Sequence, residues 1–496
     1  MKIRSWLLII LISLFSTEPC LAQDSQGYAS FEHLSTPSPK KSLVDLAPGL
    51  LTFFNNGPVF GIPGTEVGSV WESTQLTGDW GGLRTDLARH GLFIDVYSTS
   101  TYQDVTSGGL KTGSSFVQNI QTSVNIDTAR AGLWSGGLIH VTAQSRYGDS
   151  PEETFTAGTV VPQYTGLVEP DPLLSHETDL SEYFLVQALS KTTSVVLGKI
   201  SDVFIPDQTV IGDNYKYYFA NFNFNKNPMT TNFYRPTAWA ALGVWAPTKS
   251  FVLAGGVVDP NSLSNNFATN AFDKVNLYGQ AILSYSIAGL PGQFSPSLNW
   301  SNQAQPNFAK PFGPFVSPTQ IPLAVGNLLG LASNKGLIVN EKDESGFAIA
   351  NFSQYLFLVD DPASIPEKLR TGQVINGVGI FGRFGSAPHR TNPIERDASI
   401  GLFAHGLLKT RRYDSFGVGF YYNKFSRDLK NDITELTAGT AKLSDESGVE
   451  VFYDLAVTPA VRLIPSYQHI WNPFSAQVVT DQDHADIFLT RLTVAW

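Results

Sequence analysis

FLTRLTVAW, residues 488–496, decides the fold. Successive side chains of an extended chain point to opposite faces, so Phe488, Thr490, Leu492, Val494 and Trp496 share one side and Leu489, Arg491, Thr493 and Ala495 the other. A mostly apolar face set against a mixed one is how a strand of a transmembrane β-barrel reads. The same period recurs upstream. In DSFGVGFYYNKF, residues 414–425, Phe416, Val418, Phe420 and Tyr422 fall opposite Ser415, Gly417, Gly419, Tyr421 and Asn423. In GVEVFYDLAVTP, residues 448–459, Val449, Val451, Tyr453, Leu455 and Val457 oppose Glu450, Phe452, Asp454 and Ala456, so the acids keep to one face. Lipid-facing charges at mid-membrane cost about 2–4 kcal/mol for Lys or Arg and less for acids, whereas lumen-facing ones are hydrated. A soluble sandwich would instead turn long charged side chains to bulk water. Charged residues are only 15% of this chain, below the ~25% usual for soluble domains.

Counting such stretches gives sixteen strands, near 92–102, 116–127, 136–145, 181–190, 193–200, 237–246, 250–258, 276–287, 292–300, 346–358, 375–385, 398–408, 414–424, 447–457, 460–470 and 485–496. An even number suits a bacterial single-chain barrel, closed so that no strand edge meets lipid. Connections near 191–192, 247–249, 288–291, 409–413 and 458–459 are tight, and those at 146–180, 201–236, 301–345 and 425–446 are long. Short periplasmic turns and long extracellular loops are expected of such a barrel. The apolar run LAVGNLLGL, 323–331, argues that the loop 301–345 folds inward to narrow the lumen, or else caps the barrel.

The first 22 residues read as a secretory signal: Lys2 and Arg4, a short apolar run from Trp6 to Phe15, then Cys20-Leu21-Ala22 before a cut. Their removal leaves 31 basic against 42 acidic side chains, a net charge of −11. That charge lacks the basic footprint of a nucleic-acid binder. The only cysteine, Cys20, goes with the signal, so no disulfide or cysteine-metal chemistry is expected. Residues 23–75 form an irregular extension, rich in Ser, Pro, Gly and Asn, and the barrel takes 76–496. It begins with LTGDWGGLRTDLARHGL, 76–92, in which Asp79 is placed to cap a short helix over Leu83 to His90, Leu83 and Leu87 share a face, and Gly91 ends the helix.

GDWGGLRTDLARHGL at 78–92, LGKISDVF at 197–204, NFSQYLF at 351–357, GVGIFGRFG at 377–385 and ESGVEVFYDLAVTPAVRLIPSYQHIWNP at 446–473 together resemble the carbohydrate-selective porins of the OprB family. The aromatic Trp496 is similar to the way bacterial outer-membrane barrels commonly finish. The resemblance implies a sixteen-stranded outer-membrane barrel that passes sugars by passive diffusion, without ATP or cofactor. Sugars and outer-membrane lipid are then the partners, and a homotrimer is left open. Selectivity would come from pore width, hydrogen-bonding groups and local charge.

Strand parity points Arg383, Arg462 and Arg491 into the lumen, where a guanidinium could donate to sugar hydroxyls or pair with an acid and stiffen the wall. Glu450 and Asp454 are their candidate partners, or acceptors for sugar. Trp80 and Arg84 reach the periplasmic mouth or pack the short helix. Lys199 is a lumenal cation or a strand-end residue meeting lipid phosphate. YKYYFANFNFN, 215–225, sets aromatic faces beside amides, as a sugar-guiding loop would; loop packing or an interfacial aromatic belt accounts for it as well.

Catalytic motifs fail on inspection. His176-Glu177 is followed by Leu180 where a zinc helix needs a second His, Asp481, Asp483 and Asp486 lack the glycine and terminal glutamate of a calcium loop, and no spacing singles out a glycosidase pair of acids. The competing reading is a secreted all-β carbohydrate-binding protein or glycoside hydrolase, which would be soluble without detergent.

Overall fold

A computed structural model of the chain describes residues 40–47, 67–168, 176–201, 216–232, 237–260, 271–309, 341–342, 344–365, 368 and 374–496. Among these residues, sixteen antiparallel strands close into a single barrel. They are β1 Leu92–Gly108, β2 Gly113–Asp127, β3 Gly137–Gly148, β4 Glu177–Ala188 and β5 Thr193–Ser201. Next come β6 Thr237–Thr248, β7 Phe251–Val258, β8 Asn276–Ile287, β9 Leu290–Ser301 and β10 Ser345–Leu358. The last are β11 Gly377–Ser386, β12 Ile394–His405, β13 Ser415–Phe425, β14 Glu446–Ala456, β15 Val461–Trp471 and β16 His484–Ala495. Each pairs with its sequence neighbour, and β1 closes on β16 with Tyr97 opposite Ala495 and Thr101 opposite Arg491.

All sixteen expected strands are present, with shifted ends. β1 continues six residues past the expected stop at Tyr102, and β2 begins three before the expected start. Gln103, Asp104 and Ser114 broke the apolar alternation in the sequence, yet backbone pairing between β1, β2 and β16 runs through them. The expected faces hold where they were read. Phe416, Val418, Phe420, Tyr422, Val451, Tyr453, Phe488 and Leu492 are exposed on the outside, while Glu450, Asp454 and Arg491 are fully buried inside.

The leading block latches the seam. A tight turn Trp80–Gly82 precedes the helix Leu83–Arg89, and Gly81 and Gly82 take φ of +69° and +99°, a region that only glycine enters freely. Asp79 Oδ1 accepts from the Thr85 backbone N–H at 2.7 Å and from its hydroxyl at 2.8 Å. The helix buries Arg84 and Ala88 rather than the Leu83/Leu87 face, and Leu83 is exposed. The reason is Arg84, whose guanidinium stacks 4.2 Å over Trp80 and donates to the main-chain oxygens of Gly78 (2.9 Å) and Trp496 (2.8 Å). Trp496 in turn donates from its backbone to Val96 and from its indole to Ser98 Oγ at 2.9 Å.

The inner wall is not polar all round. On β5–β7 the inward residues Val196, Ala238, Ala240, Leu242, Val244, Val252, Ala254 and Val258 are apolar and buried, so these strands are apolar on both faces. Burial on both sides yields such continuous runs, and the inward side chains of this part of the wall are buried. The apolar run 323–331, expected to fold inward, lies outside the described residues, as do the signal and most of the extension.

Candidate permeation site

The connection between β5 and β6 turns into the barrel. Its described part, 216–232, opens as a turn, and Asn221 then caps the one-turn helix Phe222–Asn225 through the backbone N–H of Asn223 (3.0 Å). Phe219 lies at its centre, with ring centroids 4.7 Å from Phe224, 4.8 Å from Phe452 and 5.5 Å from Phe381, and Tyr218 sits edge-on to Phe403 at 4.6 Å. Gly417 and Gly419 make this fit possible. A Cβ on Gly417 would come within 2.8 Å of Phe219, and one on Gly419 within 2.5 Å of Phe224. What reads in the sequence as a small lumenal face of β13 is a cradle for two phenylalanines.

Polar contacts fix the segment to β11–β16. Arg383 donates to the carbonyls of Phe224 (2.5 Å) and Asn225 (3.1 Å). Glu450 accepts from the backbone N–H groups of Ala220 (2.7 Å) and Asn221 (2.8 Å), and its carboxylate interacts electrostatically with Arg491, which donates to the Tyr218 carbonyl. Arg462 forms a two-pronged pair with Asp454, donates to the Tyr413 carbonyl and lies 5.7 Å from the ring of Tyr217. All five of these side chains were read from the sequence as lumenal, and the structure gathers them around one stretch of inward chain. Desolvation inside the barrel raises the phenol pKa of Tyr217 and Tyr218 above the ordinary range, against the opposing pull of Arg462, so both stay neutral.

The remaining sequence candidates lie apart. Arg84 and Trp80 pack on each other at the seam. Lys199 is fully buried near the end of β5 that leads into the inward segment, with Asp179 of β4 as a countercharge. Sequence reasoning missed the amide network: Asn221 donates to Gln468 (3.0 Å), Asn423 to Asn223 (3.0 Å) and Asn227 to Asp397 (2.8 Å). It also missed Glu446, which accepts from the backbone of Val160 (2.9 Å) and Phe474 (3.0 Å) and so ties in the connection between β3 and β4. The signal was an amide at every second position, Asn221, Asn223, Asn225 and Asn227, interleaved with aromatics.

Adjoining this anchored side across the seam, β1–β3 present uncharged polar groups inward at mid-depth, among them Thr99, Thr101, Asn119, Gln121, Thr142 and Gln144. Between them and the inward segment is a narrow cleft, about the size of one water molecule, lined by Tyr97, Thr99, Asn119, Ile120, Gln121, Gln144 and Lys216. Lys216 hydrogen-bonds Gln121 Oε1 and lies 5.2 Å from the Tyr97 ring. An aromatic face beside amide donors and acceptors is the chemistry that matches a sugar's apolar face and its hydroxyls.

Known proteins point the same way. No functionally curated protein sequence matches the chain. Its fold is similar to that of Pseudomonas putida OprB in a high-pH structure, at 15% identity, a TM-score of 0.68, and coverage of 86% of this chain and 99% of that one. A low-pH structure of the same protein aligns at 14% identity over 86% of this chain and 99% of that one, with a TM-score of 0.49. Residues 111–494 match the family model described as carbohydrate-selective porin, OprB family, and the chain belongs to that family of outer-membrane sugar channels.

Proposed function

We propose that sugars cross the outer membrane along the β1–β3 side of this lumen, past Tyr97, Thr99, Asn119, Gln121 and Gln144, with Lys216 at the edge of the passage. The observation that carries this reading is the row of inward hydroxyls and amides on β1–β3, which line a narrow cleft beside the inward segment. A permeating sugar sheds hydration only where the wall offers replacement hydrogen bonds, each with a net worth of about 1 kcal/mol. Porins are channels, and on this reading transport needs no catalytic group, metal or cofactor. Arg383, Arg491 and Glu450 act as positioning residues that set the width of the passage by holding 216–232 in place; Asp454 and Arg462 pair with each other beside Tyr217, and Lys199, Trp80 and Arg84 act away from the passage. Residues 1–22 direct export, and 76–496 form the channel body.

Replacing Gln121 and Gln144 together by Leu tests the path. Loss of about two hydrogen bonds should slow sugar entry into liposomes roughly 30-fold relative to a small amino acid, with barrel assembly intact by heat-modifiable gel mobility. Unchanged sugar entry moves the path elsewhere.

The assembly we propose is a homotrimer. Ser100, Gln118, Thr122 and Thr490 face outward at mid-depth on adjoining strands, where elsewhere the barrel presents Leu, Phe, Val and Trp. Polar side chains toward lipid are disfavoured, and small ones let two backbones approach closely. Chemical crosslinking in outer-membrane vesicles should give a three-copy band that Gln118→Trp abolishes; a band of one copy only overturns the trimer.

A further inference from the structure

Residues 40–47 precede the stretch matched by the family model, and they are built into the barrel's short-turn end. Lys40 Nζ donates to the carbonyls of Gly132 (2.5 Å) and Leu133 (2.8 Å) in the turn between β2 and β3. The Lys41 backbone N–H donates to Ser135 Oγ (3.3 Å), and the Gly136 N–H donates back to the Lys41 carbonyl (2.9 Å). The chain then makes the single turn Leu43–Leu46, with Ser42 Oγ accepting from the Asp45 N–H at 3.3 Å. Its i,i+4 residues Leu43 and Ala47 share a face.

That face points into the pore. Leu43 and Ala47 are each 3% exposed and belong to one apolar cluster with Leu138, Val186, Val196, Val244 and Ala246. Those partners are inward-facing residues near the short-turn ends of β3–β6. The turn leaves room for the segment as well: a Cβ on Gly136, whose φ is +73°, would come within 2.7 Å of Leu46 Cδ1. An apolar wall open to an aqueous lumen would be costly, and Leu43 and Ala47 cover the end of that wall.

We infer that residues 40–47 form a strap seated inside the periplasmic mouth, where it narrows the exit of the channel and sets part of its conductance. The inference rests on the channel reading above and concerns the short-turn ends of β3–β6, beside the proposed sugar path. It makes the extension a working part of the pore rather than a tether ahead of it.

The test uses the full exported chain and two variants, Leu43→Glu combined with Ala47→Glu and a deletion of residues 24–47, recorded as single channels in planar bilayers after heat-modifiable mobility confirms assembly. Both should conduct more than the parent, by about 1.5- to 2-fold, and a synthetic peptide of residues 38–50 added to the periplasmic side of the deletion channel should restore the lower conductance. Variants that assemble and conduct like the parent overturn the strap. So does a deletion that cannot assemble, because the segment then belongs to the folding core. A parent chain that conducts nothing refutes the channel reading instead, which keeps the two failures distinguishable.

Discussion

On β1–β3 the inward side chains at mid-depth are mostly hydroxyls and amides, with Asp95 and Arg146 the charged ones among them, whereas β11–β16 turn Arg383, Asp397, Glu446, Glu450, Asp454, Arg462 and Arg491 inward. Electrostatic intuition would put the sugar against the charges. The hydrogen bonds argue otherwise, because Arg383, Glu450 and Arg491 all meet backbone groups of the inward segment. A one-turn helix leaves most of its N–H and C=O groups without internal partners, and a segment crossing a lumen cannot leave them dry and unpaired. The charged wall supplies those partners. The wall of hydroxyls and amides, which carries fewer charges, is left to meet the permeant.

The strongest way to break this contrast is Glu450→Gln. The amide keeps the shape, but it removes the countercharge of buried Arg491 and replaces one acceptor for the Ala220 and Asn221 N–H groups by a donor. Unpairing a buried charge costs about 3–5 kcal/mol. The expected result is an assembled barrel in which the amides of 216–232 lose hydrogen-exchange protection and unitary conductance rises. If protection of that segment is unchanged while sugar selectivity is lost, Glu450 contacts the permeant and the division between the walls fails.

Gly419→Val probes the same anchoring through shape alone. The valine side chain would meet the Phe224 ring, already 2.5 Å from where its Cβ must sit. Overpacking of this kind costs about 1–3 kcal/mol. Phe224 must move, and with it the carbonyl that Arg383 holds, so conductance should shift without any change of charge. A valine variant with parental conductance and parental protection at 216–232 would remove the cradle from the account.

Much of the fold was legible because a barrel strand advertises itself twice, by period and by the contrast between lipid and lumen. Phe416 to Tyr422 could be assigned a side from spacing alone. The strand ends were less legible, since Gln103 and Asp104 are held by backbone pairing that side-chain pattern does not report. Inwardness was readable for Arg383, Glu450 and Arg491, but not their partners, because parity fixes a direction and says nothing of what lies along it. YKYYFANFNFN looked equally suited to a belt at the membrane surface, to loop packing or to guiding sugar; only the closed sheet brings Gly417, Gly419 and Phe452 close enough to show where its aromatic rings go. The apolar inner wall of β5–β7 was hidden for a related reason. Its strands obey no alternation, and a run such as AWAALGVWA names no lumenal face.

The charged half also continues above the barrel, and there pH gives the smallest of these tests. The helix Arg427–Leu436 follows β13, with Leu429 and Ile433 fully buried beneath it. Burial, reinforced by Asp428 and Glu435, pushes the Asp432 carboxyl up to about 7. Around it, Asp428 meets His389 at 2.7 Å and Lys430 meets Asp445 at 2.6 Å. Although burial opposes the shift, Lys430 and Tyr422 lower the pKa of Asp445, so its stabilising effect is lost only as pH falls below the ordinary carboxylate range. Asp432 has the opposite sign: a raised carboxyl pKa favours the folded helix while protonated, and that advantage fades as pH climbs from about 4 to about 7. Between pH 5 and pH 8 the Asp432 effect governs, so amides of Leu429 to Ile433 should exchange faster at pH 8 once intrinsic rates are corrected. Asp432→Asn should flatten the slope without altering conductance, because the side chains that hold the inward segment's backbone are Arg383, Glu450 and Arg491. A pH slope that survives Asp432→Asn would take Asp432 out of the account.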